Sequence, residues 1–260
     1  MASPLDMQKI IPLITGGGSG IGLGLVKQFL KRGSPKLLIT GRREEVLQSA
    51  AGEFPEQIFY RVSDAGAVQD REDLLTWVQT EHPDCNALVN NAGVQRQFPL
   101  HKDDAAWHER AHEIEINLHG PVHLCSLFTP YLLAKQKETT LLANVSSGLA
   151  FVPYPNAPVY CATKAALHSY TMSLRYALSE TNVRVVEIIP PAVKSNLGGA
   201  HDFGEDLDQY VEATMKRVQA GEIEVGYKFS ETARMADRAQ LNGMMDHLAT
   251  AMQVPKYAVE

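Results

Sequence analysis

Thr15-Gly16-Gly17-Gly18-Ser19-Gly20-Ile21-Gly22 follows the short apolar run Ile10–Ile14 and opens an amphipathic segment near residues 21–32. A buried strand, a glycine-rich turn and a helix in direct succession decide the fold. Glycine reaches positive φ and lets other groups approach the backbone closely. The start of the helix presents unpaired N–H groups and partial positive charge, which stabilise a pyrophosphate. Thr15, Gly16, Gly18, Ser19, Gly20, Ile21 and Gly22 are thus candidate dinucleotide contacts. The plainer alternative is a tight βα turn with no ligand.

The same alternation continues outward. Strand-like runs recur at Leu37–Thr40, Ile58–Val62, Ala87–Asn90, Thr140–Val145 and Val183–Ile189, with a short one at Ile223–Val225. They are nearly continuous apolar runs, as parallel strands covered on both faces require. Helical patterns lie between them near 43–53, 67–81, 104–135 and 158–179, the longest with a bend expected near Gly120-Pro121. The pattern predicts an α/β fold, a doubly wound parallel sheet of about seven strands with helices on both faces. The tail predicts a helix from Glu205 to Ala220 capped by Gly221, then a Met-rich helix over 230–252. Met235, Met244, Met245 and Met252 are expected to fill core gaps.

The chain has 260 residues, 45% hydrophobic and 21% charged, so disorder is excluded and one large or two small domains are possible. A net charge of −6 argues against nonspecific nucleic-acid binding. No apolar run reaches the roughly 18 residues of a membrane helix. Met1–Lys9 shows no secretory pattern, and Cys85, Cys125 and Cys161 lack CxxC spacing. A soluble cytoplasmic protein is expected, with no membrane or nucleic-acid partner.

The second strand ends Thr40-Gly41-Arg42-Arg43, with no acid at Gly41 or Arg42 to accept a ribose 2′-OH. Guanidinium groups clamp phosphate bidentately, so Arg42 and Arg43 favour NADP(H) over NAD(H). Solvated charges at a helix start are the alternative. Tyr160 and Lys164 stand at i and i+4 on one helical face. An ammonium beside a phenol, whose usual pKa is about 10, favours the phenolate and makes it a usable acid or base. Ser147 follows the fifth strand, and its hydroxyl can donate to a carbonyl oxygen. Asn90-Asn91-Ala92-Gly93 ends the fourth strand, and Asn117 lies in the long helical segment.

In order and spacing, Thr15-Gly-x-x-x-Gly20-Ile-Gly22, Asn90-Asn-Ala-Gly93, Asn117, Ser147 and Tyr160-x-x-x-Lys164 resemble the one-domain short-chain dehydrogenase/reductase family. The match spans about residues 8–195. Asn91-Ala-Gly-Val-Gln-Arg96, Val145–Pro153 and Pro190-Pro-Ala-Val193 are similar to its DltE-like oxidoreductases. The resemblance implies a Rossmann-type sheet and a hydride-transferring oxidoreductase acting on a carbonyl/alcohol pair. It implies that Tyr160 is the general acid/base and that Ser147 polarises the carbonyl. Lys164 would tune Tyr160 and bind the nicotinamide ribose, and Asn117 would hold a water in a relay to Lys164. It extends the cofactor set to Asn91, Ala92, Gly93, Pro190, Val193 and Ser195, and implies a homodimer or homotetramer. Two departures stand out. Pro191 replaces a glycine and removes an N–H, and Ser195 takes the place of a threonine. Arg61 stands where an adenine-contacting acid is usual, with Asp64 three residues on, and either is open as the adenine contact.

One domain over 1–260 is expected, since residues 15–22 and 117–164 serve one sheet, with 191–260 covering the substrate. Gln95, Arg96, Leu149, Phe151, Tyr154 and Ala192 are candidate substrate walls, Arg96 also as an anion contact, and 196–215 is a candidate lid. Two alternatives compete. One is a non-catalytic dinucleotide sensor. The other is a zinc hydrolase built on His108-Glu109-Arg110-Ala111-His112, which fits H-E-x-x-H but lacks an evident third ligand. No metal is expected.

Overall fold

Alternate residues of each strand point to opposite faces of a sheet, and here both faces are dry. In the computed structural model, which describes residues 3–98, 105–195, 197–198 and 203–254, Ile14, Ile39, Val89, Ala143 and Val186 join one core cluster. Their neighbours Leu13, Leu38, Leu88, Leu142 and Val185 join the other. That is why the runs are continuously apolar.

The strands are β1 (Pro12–Thr15), β2 (Leu37–Gly41), β3 (Ile58–Val62), β4 (Ala87–Asn90), β5 (Thr140–Val145), β6 (Val183–Ile189) and β7 (Glu224–Gly226). They form one parallel sheet in the order β3-β2-β1-β4-β5-β6-β7. The order reverses between β1 and β4, so the crevice beyond their carboxyl ends is the place for a ligand. The tail contributes β7 to this same sheet.

The helices are α1 (Gly20–Lys31), α2 (Glu44–Gly52), α3 (Val68–Glu81), α4 (Trp107–Ile114), α5 (Gly120–Leu133), α6 (Pro158–Ala177), α7 (Leu207–Gln219), α8 (Phe229–Met235) and α9 (Arg238–Ala251). Helices α1 and α7 supply Leu25, Phe29, Met215 and Val218 to the first core cluster. Helices α3 and α5 supply Leu74, Trp77, Leu124 and Phe128 to the second. No helix is long and apolar enough to cross a membrane among the described residues.

Three tail and helix expectations are corrected. The bend near Gly120 is a π-helical turn, Glu115–His119, joining α4 to α5. The 230–252 helix breaks at Ala236, because Asp237 and Gln240 form a capping box that starts α9 afresh. The methionines of this region do not fill the core: Met235 is 70% exposed and α9 buries no residue. Within the candidate lid 196–215, Tyr210, Val211 and Met215 of α7 are buried; residues 196 and 199–202 lie outside the described residues.

Candidate active site

Two glycines of the turn sit at positive φ, Gly16 at 66° and Gly20 at 53°. Thr15 ties the turn to the end of β4: its Oγ1 accepts the N–H groups of Asn91 and Ala92, both at 3.0 Å. Asn91 Nδ2 returns a bond to the Thr15 carbonyl at 2.9 Å. These bonds fix the crevice at the switch between β1 and β4. Ser19 starts α1 without capping it by its side chain, so the first N–H groups of the helix are left for a ligand.

A cleft of about 190 Å³ runs from this turn past the end of β2. Thr15, Gly16, Gly18 and Ser19 are among the residues that line it, as are Arg42, Arg43, Asp64, Ala92 and Gly93. Arg43 Nη2 donates to Ser19 Oγ at 3.4 Å. Among the described residues neither arginine forms an ion pair with a carboxylate, and both stand at the positive end of α2, whose first turn also carries Glu44 and Glu45. An anion would relieve that arrangement. Asp64 lines the cleft and Arg61 does not, although Asp64 Oδ1 is already used by the Gly66 N–H at 2.9 Å. Sequence reasoning missed two neighbours here: Arg71 also lines the cleft, and His112 Nε2 lies 3.5 Å from Arg42 Nη1. The cradle of uncapped N–H groups and the two guanidiniums fits a phosphorylated dinucleotide.

The other half of the site lies at the carboxyl ends of β5 and β6. Ser147 starts a 3-10 turn, Gly148–Ala150, its Oγ accepting the Leu149 N–H at 3.1 Å. Tyr160, Lys164 and Asn117 are all buried. Lys164 Nζ sits 5.6 Å from the Tyr160 ring centre and donates to the Val145 carbonyl at 2.8 Å. Burial holds the Tyr160 phenol above its ordinary pKa, while the neighbouring Ser147 hydroxyl favours the phenolate. Burial also lowers Lys164 to about 8, against the field of Glu187. Asn117 is a clamp: its Oδ1 accepts the Val94 N–H at 2.9 Å and its Nδ2 donates to the Val94 carbonyl at 2.8 Å. A Cβ on Gly93 would lie 3.3 Å from Asn117 Oδ1 and 3.7 Å from Lys164 Nζ, so only a small residue leaves this junction open.

The loop after β6 closes the crevice. Pro190 accepts the Gly148 N–H at 2.8 Å, and Val193 bridges to Glu205. Ser195 reaches the glycine turn, its Cβ lying 3.8 Å from where a Gly20 Cβ would be.

The substrate walls divide. Leu149 and Tyr154 pack around Tyr160, joined by Leu197, Leu248 and Val254, which the sequence did not single out. Gln95 lies near Gly198, and Ala192 is exposed, its carbonyl accepting the Glu205 N–H at 2.8 Å. Phe151 meets the His168 ring at a tilt of 60°, with ring centres 4.6 Å apart. Arg96 is not a free anion contact, because its guanidinium pairs with Glu109. That pairing also dismantles the zinc motif: Glu109 turns to Arg96 and His112 to Arg42. Among the described residues no three His, Cys, Asp or Glu side chains converge on a point.

The chain matches the model of the short chain dehydrogenase family over residues 10–204. It is 39% identical over 253 residues to the uncharacterized oxidoreductase DltE of Bacillus subtilis strain 168, covering 95% of this chain and 99% of that one. Identity is 30% over 185 residues to the NADP-dependent 3-hydroxy acid dehydrogenase YdfG of Escherichia coli K12, covering 71% of this chain and 73% of that one. A solved short chain dehydrogenase from Burkholderia cenocepacia J2315 in complex with NADP aligns with a TM-score of 0.79 at 25% identity, covering 93% of this chain and 99% of that one.

Proposed function

The chain belongs to the short-chain dehydrogenase family, and from that premise we propose an NADP(H)-dependent oxidoreductase acting on a carbonyl/secondary alcohol pair. The observation that carries the reading is the buried group of Ser147, Tyr160 and Lys164 beside a cleft lined by Arg42 and Arg43. Bound NADPH supplies the hydride.

The side chains handle the proton. Ser147 donates to the carbonyl oxygen and orients it. Tyr160 gives the phenolic proton to that oxygen in reduction and takes it back in oxidation. Lys164 stabilises the phenolate left behind and holds the nicotinamide ribose. Asn117 keeps Val94, and with it Gly93, against Lys164. Thr15, Gly16, Gly18, Ser19, Gly20, Ile21 and Gly22 hold the pyrophosphate, Arg42 and Arg43 the 2′-phosphate. Asp64 meets adenine. Asn91, Ala92, Gly93, Pro190, Val193 and Ser195 line the nicotinamide side.

The substrate is a small, moderately apolar molecule. Leu149, Tyr154, Leu197 and Leu248 around Tyr160 support this, as does the neutralisation of Arg96 by Glu109. The reading includes a cytoplasmic location, supported by three free buried cysteines, one functional domain over 1–260, and a homo-oligomer. The test is NADPH oxidation across a panel of ketones and aldehydes, with wild type and Tyr160→Phe. Turnover by wild type and its loss in the variant are expected. Equal rates overturn the mechanism.

A further inference from the structure

His112 is left over from the H-E-x-x-H pattern, and the reading above gives it no role. It stands on α4, four residues before Ile116, which lines the cleft. Both side chains close on the loop after β3. A Cβ on Gly66 would lie 3.3 Å from His112 Cε1 and 3.1 Å from Ile116 Cγ1. From this seat His112 Nε2 comes within 3.5 Å of Arg42 Nη1.

Little else holds Arg42. Among the described residues His112 is its one side-chain partner. The other arginines of the cleft are anchored elsewhere. Arg43 Nη2 donates to Ser19 Oγ at 3.4 Å. Arg71 is committed to Glu115 Oε1 at 3.1 Å and to the Ala65 carbonyl at 2.7 Å. A neutral imidazole with its proton on Nδ1 accepts an N–H at Nε2. A guanidinium has five donors, so one N–H given to His112 leaves the rest of the fork for a phosphate.

We propose that His112 is a positioning residue for cofactor choice: it holds the Arg42 guanidinium at the cleft, ready for a ribose 2′-phosphate. This rests on the NADP(H) reading above. Arginine is a long, rotamer-rich side chain, and ordering it on binding weakens affinity. A partner that fixes it beforehand removes part of that cost. Arg42 lines the cleft and His112 stands behind it, so His112 acts through Arg42 and not on the phosphate itself.

The test is calorimetric titration of the cofactor-free protein with adenosine 2′,5′-bisphosphate and with adenosine 5′-monophosphate, which differ only in the 2′-phosphate. His112→Ala is expected to weaken the bisphosphate about 3- to 10-fold and the monophosphate less than about 2-fold. His112→Leu keeps the bulk without an acceptor and is expected to behave in the same way. His112→Gln, whose amide oxygen reaches about as far as Nε2, is expected to restore most of the loss. On an Arg42→Ala background His112→Ala is expected to change nothing further, because the group it positions is gone. A packing role would weaken both ligands alike, and a direct phosphate contact would persist without Arg42. Either result overturns the inference, as does an unchanged bisphosphate affinity in His112→Ala and His112→Leu. Wild type that binds the bisphosphate no more tightly than the monophosphate overturns the NADP(H) reading, and the inference falls with it.

Discussion

A Cβ placed on Gly22 would stand 2.1 Å from the carbonyl oxygen of Gly16 and 2.6 Å from Asn91 Nδ2. The obstacle is mostly backbone, and the backbone cannot give way without moving α1 from β1. Gly22→Ala is expected to cost about 1–3 kcal/mol, a fall in melting temperature of about 2–12 °C, together with loss of dinucleotide binding. Gly243→Ala is the control. Nothing lies within 4 Å of a Cβ there, and removing a glycine from the exposed middle of α9 is expected to leave stability unchanged or raise it by up to about 1 kcal/mol. Thermal melts of both variants check this.

Arg42 and Arg43 face the cleft at the start of α2, and among the described residues neither forms an ion pair with a carboxylate. Each charge-assisted bond to a phosphate contributes about 1.5–3 kcal/mol. Arg42→Ala is therefore expected to weaken NADPH about 10- to 100-fold, with NADH changed less than about 2-fold. Fluorescence titration with both cofactors measures the ratio. Equal losses would refute the 2′-phosphate assignment.

How much of this could be read from the chain follows from the range of each interaction. Strands β1 to β6, the glycine turn, and Tyr160 and Lys164 on one helix are local patterns, and the structure has them within a residue or two of expectation. The break before α9 was signalled too, by Asp237 and Gln240 three residues apart, but the methionine periodicity masked it. The π turn at Glu115–His119 has no residue signature, since it is a shift in backbone pairing. The pairing of Arg96 with Glu109 and of Arg42 with His112 depends on how the loop after β4 meets α4, which no periodicity encodes. The exposure of Met235 shows the same limit: amphipathy fixes a face, not its neighbour.

Helix α6 is seated by a buried polar chain. Asn90 Nδ2 donates to Asn144 Oδ1 at 2.9 Å, Asn144 Nδ2 to Thr171 Oγ1 at 2.9 Å, and Thr171 Oγ1 to the Leu167 carbonyl at 2.7 Å. Thr171→Val keeps the shape but leaves the Asn144 amide without its acceptor. A buried donor so stranded costs about 1–3 kcal/mol. The variant is expected to lose that much in urea unfolding. Its kcat is expected to fall as well, since α6 carries Tyr160 and Lys164. Unchanged stability would mean that Asn144 finds another partner.

Glu113 carries the pH dependence of the site's other side. It is buried on α4, its Oε1 accepts the Arg96 N–H at 3.1 Å, and its Oε2 is buried without a hydrogen-bond partner. Burial raises its pKa, against the Arg96 hydrogen bond and the charges of Arg96 and Arg110. Between the unfolded value near 4.3 and the raised folded value, the native state binds more protons than the unfolded one. Stability from this group is therefore present at low pH and lost as pH rises through that window. Glu113→Gln removes the titration. The melting temperature of Glu113→Gln minus that of wild type is expected to grow from pH 5 to pH 8, whatever its sign at pH 5. Other titrating groups are common to both proteins and cancel in the difference. A difference that stays constant across the range would mean that Glu113 is ionised throughout, with the arginines outweighing its burial.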